Sequence, residues 1–480
     1  MECGPLSSRI DGRADGCRRR PRARRRRSRL GVPRRFRLPR ARTCRAGPRV
    51  DAGRGGPRER AVPHGAPALL LRGLLTAFDV RPVADRTEYR DALLAIGQYF
   101  GLEPTDEDID RFLTALPLER MHAARDDGRI VGGAGAFDFH LSVPGGGDVP
   151  CAGVSLVGVY PTHRRRGVLN AMMRAQLDDA HERGAPLAAL WASEETIYGR
   201  FGYGIAAWGV EGAVPHEYAA FHSRREPTGS VRLIDTAEAL DVFPPLYDEL
   251  RRQRPGVFTR SRGWWENRVL RDPAERRQGA GPKRLALHET DGRATGYALY
   301  RHKFGYDGGV ATSELIVIEA FGVTPAADYD VWRYLLDIDW SAKVKVWMLP
   351  LDHPLVLLLG TPRRPAFRIG DTLWLRLVDV GAALNARAYR DGPPVVFELR
   401  DVFCKWNDGR WKLTDGRAER TDEDPDVRCD VDALGSAYLG GATFAQLERS
   451  LRVEEAREGG VARADDLFRT GVHPWCPEIF

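Results

Sequence analysis

Four consecutive residues, Arg164-Arg165-Arg166-Gly167, join a β-like run, Gly153–Val159, to a helical pattern. Val168, Leu169, Met172, Met173, Leu177 and Ala180 supply the apolar stripe of that helix. Anion binding is the chemistry such a junction suits. The first amides of a helix lack intrahelical partners and the dipole makes that end positive. Glycine lets a ligand approach the backbone, and arginine pairs with phosphate through two parallel hydrogen bonds. Strand, turn, Arg-Arg-Arg-Gly and helix therefore make a pyrophosphate cradle. On spacing alone the same pattern also describes a helix start with solvated arginines. It is neither a Walker loop nor a dinucleotide fingerprint, because no GxxxxGK and no GxGxxG after a strand occurs.

Arginine is common in this chain, so background has to be separated from site. Residues 1–65 hold 21 Arg, no Lys and five acids, a local net of +16. Of the 73 basic and 66 acidic residues, 52 and 61 remain for residues 66–480, a net of −9. A basic extension thus precedes an acidic body. An acidic body suits a cationic small substrate better than nucleic acid. The extension is dense in like charge and poor in apolar residues, so it is expected to be disordered. It reads as a nucleic-acid arm, a targeting segment or a solvated extension. Phe36 is nearly its only aromatic, against the first. Arg34-Arg35-Phe36 has no usable apolar segment behind it, since Pro67–Phe78 is distant and broken by Arg72, against the second.

The 480 residues suggest roughly two to four domains. No apolar run reaches about 18 residues, so no membrane span is expected. The cysteines are Cys3, Cys17, Cys44, Cys151, Cys404, Cys429 and Cys476. They form no CxxC pair or metal-like spacing, and a reducing cytoplasm and no metal are the simplest expectation.

The elements that must position the arginines come in a repeating order. Phe78–Val83 reads as a strand and Thr87–Phe100 as a helix. Thr105 is placed to cap the next helix. Asp127-Gly128 signals a tight turn between strands, and a Pro/Gly-rich loop precedes Gly153–Val159. Later, Asp291-Gly292 is again followed by an alternating strand, and "ELIVIEAFGVTPAADYDVWRYLL" again gives strand, Val-x-Pro turn and helix. The chain reads as two copies of one α+β unit. Where the first copy has His163-Arg164-Arg165-Arg166-Gly167 after its proline, the second has Ala326-Ala327-Asp328-Tyr329-Asp330. One copy is equipped for an anion and the other is not. The last hundred residues, opening with "TLWLRLVDVGAALNARAY", read as a third, small α/β module.

"SLVGVYPTHRRRGVLNAM" followed by "ALWASEETIYGRFGYG" resembles the GNAT acetyltransferases, and more narrowly the Eis (enhanced intracellular survival) group of N-acetyltransferases. The likeness extends over about residues 76–480. It implies tandem GNAT folds, active then degenerate, and a C-terminal sterol-carrier-protein-like α/β domain. The expected layout is a 1–65 extension and domains at 66–222, 223–372 and 373–480. It also implies acetyl-CoA as donor, a primary amine of an aminoglycoside, polyamine or lysine-like acceptor, and a homo-hexamer. By resemblance, Val157, Gly158 and Val159 pair with the pantetheine. Arg165, Arg166, Gly167, Val168, Leu169 and Asn170 cradle the pyrophosphate, and Ser193 and Glu194 close the cleft. The general pattern Arg/Gln-x-x-Gly-x-Gly/Ala fails at its last position, which is Leu169 here.

The resemblance makes Tyr198 the general acid. A phenol, pKa about 10, is a suitable proton donor to a departing thiolate of pKa about 8.5. The residues alone favour a tyrosine packed under glycine turns with its hydroxyl on a backbone carbonyl. The resemblance also makes the C-terminal carboxylate, here on Phe480, the general base. At pKa about 3.3–3.7 it is a weak base that would act partly by electrostatics and through water. That requires a tail anchored inside the first domain; in "HPWCPEIF", Trp475 and Ile479 can pack, and Pro474 and Pro477 stiffen the path. Glu478 is a second acid for amine recognition, His140 and His163 are alternative bases though each reads better as structural, and Tyr99 and Phe100 are acceptor-pocket candidates. The alternative to an enzyme is a lipid- or sterol-binding scaffold using the C-terminal module.

Overall fold

The computed structural model describes residues 78–480; the basic extension lies outside them. Asp-Gly pairs set the local pattern. Asp127 and Gly128 take φ of 50° and 76° and join Met121–Asp126 to Arg129–Ser142. Asp291-Gly292 and Asp415-Gly416 repeat this geometry between Arg284–Thr290 and Arg293–Lys303, and between Gly409–Thr414 and Arg417–Arg420. Two successive positive-φ residues match the right-handed twist of a hairpin. Helix Arg86–Phe100 starts at Asp85, whose side chain accepts from Thr87 and Glu88 amides. Thr105 caps Asp106–Ala115, in a reciprocal box with Asp108.

Twelve strands form one sheet. Their order is Asp79–Pro82, Met121–Asp126, Arg129–Ser142, Asp148–Val159, Leu187–Leu190, Arg368–Leu377, Gly204–Pro215, Lys343–Pro350, Glu314–Gly322, Arg293–Lys303, Arg284–Thr290 and Ser230–Ile234. The duplication is visible in that order, read inward from both edges. Each copy ends its run in one parallel pair, Asp148–Val159 with Leu187–Leu190 and Glu314–Gly322 with Lys343–Pro350.

The middle of the sheet departs from the sequence reading. Gly204–Pro215 follows Leu187–Leu190 in the chain but pairs with Lys343–Pro350 of the other copy. Arg368–Leu377, at the end of the central copy, pairs with Leu187–Leu190 of the first. These two strands also pair with each other. The copies have exchanged their closing strands, so neither completes its sheet alone. The stretch read as the opening strand of the C-terminal module is therefore part of the large sheet. Its alternation marks a strand but carries no information about its non-local partner.

Beyond it, a second sheet runs Arg417–Arg420, Gly409–Thr414, Val395–Arg400, Val427–Asp430 and Val453–Glu455. Helices Val431–Tyr438, Phe444–Arg449 and Gly460–Phe468 accompany this sheet. Phe397, Tyr438, Phe444 and Phe468 are buried between them, with ring centroids of Phe397, Phe444 and Phe468 5.0–5.8 Å apart. A buried ion pair, Arg376 with Asp401, ties this module to the large sheet.

Helix Arg86–Phe100 crosses strand Asp148–Val159 at Gly158. A Cβ there would lie 2.6 Å from the Ile96 backbone. Gly158→Ala is expected to force these elements apart and to cost about 1–3 kcal/mol, read as a lower urea midpoint with an unchanged slope.

Candidate active site

The parallel strands of the first copy touch for only three residues, Cys151–Gly153 against Leu187–Ala189. Beyond Gly153 they part, and among the described residues no strand pairs with the edge of Asp148–Val159 facing the gap. A register shift between Gly133 and Gly135 marks a bulge at Leu156, whose φ is 56°. A bulge leaves backbone groups unpaired and re-aims them. Val157, Gly158 and Val159 follow it directly. Tyr99, an acceptor-pocket candidate, donates its hydroxyl to the Val159 carbonyl at 2.6 Å, at the edge of this gap. Phe100 is exposed beside it.

The arginine turn lies at the open end of the gap. Gly167 has φ 95° and starts helix Val168–Glu182, with no side chain capping it. The amides of Val168, Leu169 and Asn170 are thus left to an outside acceptor. Val168, Met172, Met173, Leu177 and Ala180 are buried as their spacing predicts. Gln176 in the same stripe is buried too, bonded to His122 and the Ala134 carbonyl. Arg165 is exposed with φ 62°. Arg166 is held by Asp126 at 2.9 Å and lies over Phe78. His163 faces the same Asp126 carboxylate at 3.3 Å, which makes it part of the turn's scaffold.

The central copy shows the contrast. Its equivalent helix, Pro325–Leu336, is capped by the Thr324 side chain on the Ala327 amide. Asp328 takes the amide hydrogen of Gly322 at 3.1 Å. The groups that would meet a phosphate are already occupied by its own side chains.

Ser193 and Glu194 are exposed in the bend between Leu187–Leu190 and the short helix Glu195–Tyr198. Tyr198 is buried against Ala136, Ala152 and Val154 on the face covered by helix Val168–Glu182. Burial pushes its phenol up, so it stays protonated at neutral pH. The glycines behind it answer to the C-terminal part of the chain. Gly202 has φ 82°, and a Cβ there would lie 2.2 Å from the Arg376 guanidinium. Tyr203 is fully buried, its hydroxyl without a partner among the described residues.

The chain terminus approaches from the other face. The Phe480 ring packs edge-on against Phe139 and Phe258, both at 5.2 Å. Its Cε2 lies 3.4 Å from where a Cβ on Gly153 would stand, at the point where the strands part. Trp475 is buried, its indole on the Met348 carbonyl and its amide on the Pro255 carbonyl. Trp475 is thus anchored on the central copy, not inside the first as expected. Glu478 is not an amine-recognition acid: it is buried, paired with Arg260 and bonded to the Trp264 indole at 3.2 Å. His140 is exposed, with its backbone tied to Thr259.

The structure brings Val157–Val159, Arg165–Asn170, Tyr198 and Phe480 to one gap between two strands. Phe137, Phe139, Phe258 and Trp264, the aromatic group beside the terminal residue, were not foreseen. Phe137-Asp138-Phe139 signals a strand, but nothing local says which face meets the terminus.

A short parallel strand pair that parts and is joined by a helix is present twice, as in a tandem GNAT acetyltransferase fold, and of the two helix starts only that of the first copy is uncapped. Two family models, each described as an acetyltransferase (GNAT) domain, match residues 79–206 and 256–377, and a sterol carrier protein domain model matches 380–477. An uncharacterised N-acetyltransferase of Streptomyces avermitilis is 41% identical over 391 residues, 80% of this chain and 95% of that protein. The N-acetyltransferase Eis of Mycobacterium tuberculosis is 35% identical over 383 residues, 76% of this chain and 90% of Eis. The crystal structure of Eis1 from Mycobacterium abscessus superposes with a TM-score of 0.74 at 35% identity, covering 84% of this chain and all of that one. A GCN5-related N-acetyltransferase from Anabaena variabilis shares the fold at 22% identity, TM-score 0.71, over 84% of this chain and all of its own. The chain belongs to the Eis-type GNAT N-acetyltransferases, an enzyme family whose fold takes acetyl-CoA as co-substrate.

Arg165→Ala is expected to raise the acetyl-CoA KM about tenfold, the loss of a charge-assisted contact, with kcat nearly unchanged in initial-rate measurements.

Proposed function

We propose that the first GNAT copy transfers the acetyl group of acetyl-CoA to a primary amine of a cationic acceptor, of the aminoglycoside, polyamine or lysine type. The observation that carries this reading is the arrival of Phe480 and Tyr198 at the same three-residue strand junction from opposite faces. Between them the strands part, and a thioester lying in that gap would have one on each side.

The pyrophosphate rests on the open amides of helix Val168–Glu182, with Arg165 free to reach it and Arg166 fixing the turn through Asp126. The pantetheine pairs with Val157, Gly158 and Val159, and Ser193 and Glu194 border the opposite strand. The Phe480 carboxylate takes a proton from the acceptor ammonium, through water. The amine nitrogen attacks the thioester carbonyl, a C–N bond forms, and the C–S bond then breaks. Tyr198 gives its proton to the departing sulfur, so the thiol leaves neutral, and the proton the nitrogen sheds as the amide forms restores the phenol through water. The net charge of −9 over residues 66–480 favours a polycationic acceptor. A hexameric assembly and a cytoplasmic location belong to the same proposal. A lipid-carrier reading gains no support from the C-terminal module, where aromatic side chains occupy the space between sheet and helices.

Tyr198→Phe is expected to lower kcat about 100-fold or more against kanamycin-type aminoglycosides, spermidine or a lysine peptide, with acetyl-CoA affinity retained by calorimetry. A single glycine added after Phe480 moves the carboxylate and is expected to have a comparable effect. A chain starting at residue 66 is expected to keep the parent kcat, which separates the enzyme from a nucleic-acid role of the basic extension.

A further inference from the structure

The central copy has the strands of a donor cleft but has closed the helix start that a donor would use. Glu314–Gly322 and Lys343–Pro350 pair only at Glu314–Ile316 and Lys343–Lys345, then part as the first copy's strands do. What lies past that point is the chain's own terminus. On one strand the Met348 carbonyl, at a bulge, accepts the Trp475 indole hydrogen. On the other strand Glu319, also at a bulge, holds Arg260 through two bonds of 3.0 and 2.6 Å. Arg260 passes the connection to Glu478.

We propose that the central copy has exchanged a donor site for a seat for the chain terminus: both lips of its cleft hold the tail, at Trp475 and Glu478, and so place the Phe480 carboxylate in the first copy's cleft. The proposal rests on the reading of Phe480 as the base and gives the degenerate copy a part in the reaction. Glu319 and Arg260 are positioning residues, not catalytic ones.

The network that ties the tail is built for rigidity. Arg260 is buried, with its guanidinium 3.9 Å from the Tyr247 ring centroid and 4.7 Å from that of Trp265. Tyr297 donates to Glu319 and Trp264 to Glu478, so each carboxylate has a neutral donor besides the shared arginine. Such a pair adds little net stability but specifies one geometry, and removing a partner leaves a buried charge unmatched. The same segment of the central copy continues the hold. Arg254 bonds the His473 carbonyl at 2.7 Å. Arg268 bonds the Ile479 carbonyl at 2.9 Å, one residue before the terminus. Arg268 sits in a π-helical turn, Trp265–Leu270, a rare conformation that recurs at functional sites.

The test uses the full-length enzyme with Glu319→Gln and Trp475→Phe. Each is expected to lower kcat about tenfold or more, to leave the acetyl-CoA KM unchanged, and to speed hydrogen exchange of the amides of residues 475–480 alone. Trp475→Phe keeps an aromatic side chain but loses the indole N–H and its five-membered ring, and it remains readable if Glu319→Gln fails to fold. Because both act on one tail, their combined loss should fall short of the product of the single losses. Faster tail exchange with parent kcat would overturn the seat, as would a kcat loss with tail exchange unchanged. Deletion of Phe480 separates the two readings. If that deletion leaves kcat intact, the terminal base is wrong. If it abolishes turnover while the loosened variants keep parent kcat, only the seat is wrong.

Discussion

One buried arginine, Arg260, stands between two carboxylates from distant parts of the chain, Glu319 and Glu478. The position of the last residue depends on that contact. A terminus ordinarily frays, because few contacts offset its conformational entropy. Here Trp475, Cys476 and Glu478 are buried and the carbonyls of His473 and Ile479 are each held by an arginine. Only then does the Phe480 ring reach Gly153, where the first copy's strands open. The residue farthest along the sequence thereby reaches a cleft built from residues 148–198.

The exchanged strands give that arrangement a fixed frame. Gly204–Pro215 and Arg368–Leu377 each complete the other copy's sheet, so the two clefts cannot shift relative to each other without breaking backbone ladders. The C-terminal module is locked to the same frame. Arg376, on an exchanged strand, packs on Gly202 behind Tyr198 and pairs with Asp401. The turn carrying the proposed acid and the tail carrying the proposed base are thus both braced by residues far away in sequence. This is a physical reason for the glycines around Tyr203: Gly202 must admit Arg376 and Gly204 the backbone of Asp432.

What the sequence revealed was what is local. Asp-Gly turns, the Asp106–Ala115 cap, the apolar stripe of Val168–Glu182 and the duplication all rest on neighbours within a few residues, and the structure contains them. The asymmetry between the arginine turn and its counterpart also held, with a cause now visible in Thr324 and Asp328. What escaped was non-local. An alternating strand does not name its partner, so the strand exchange was invisible. Glu478 reads as a substrate acid from its place two residues before Phe480, and that fails because Arg260, 218 residues away, claims the carboxylate.

The role of the terminal carboxylate is tested most directly by replacing it with a carboxamide, through ligation of a synthetic C-terminal peptide to the otherwise unchanged chain. The Phe480 ring and every tail contact are kept, and only the negative charge and the basic oxygen are lost. The expected result is a fall in kcat of about 100-fold or more, with the thermal midpoint and the acetyl-CoA KM unchanged. A carboxamide enzyme that turns over at the parent rate would contradict it.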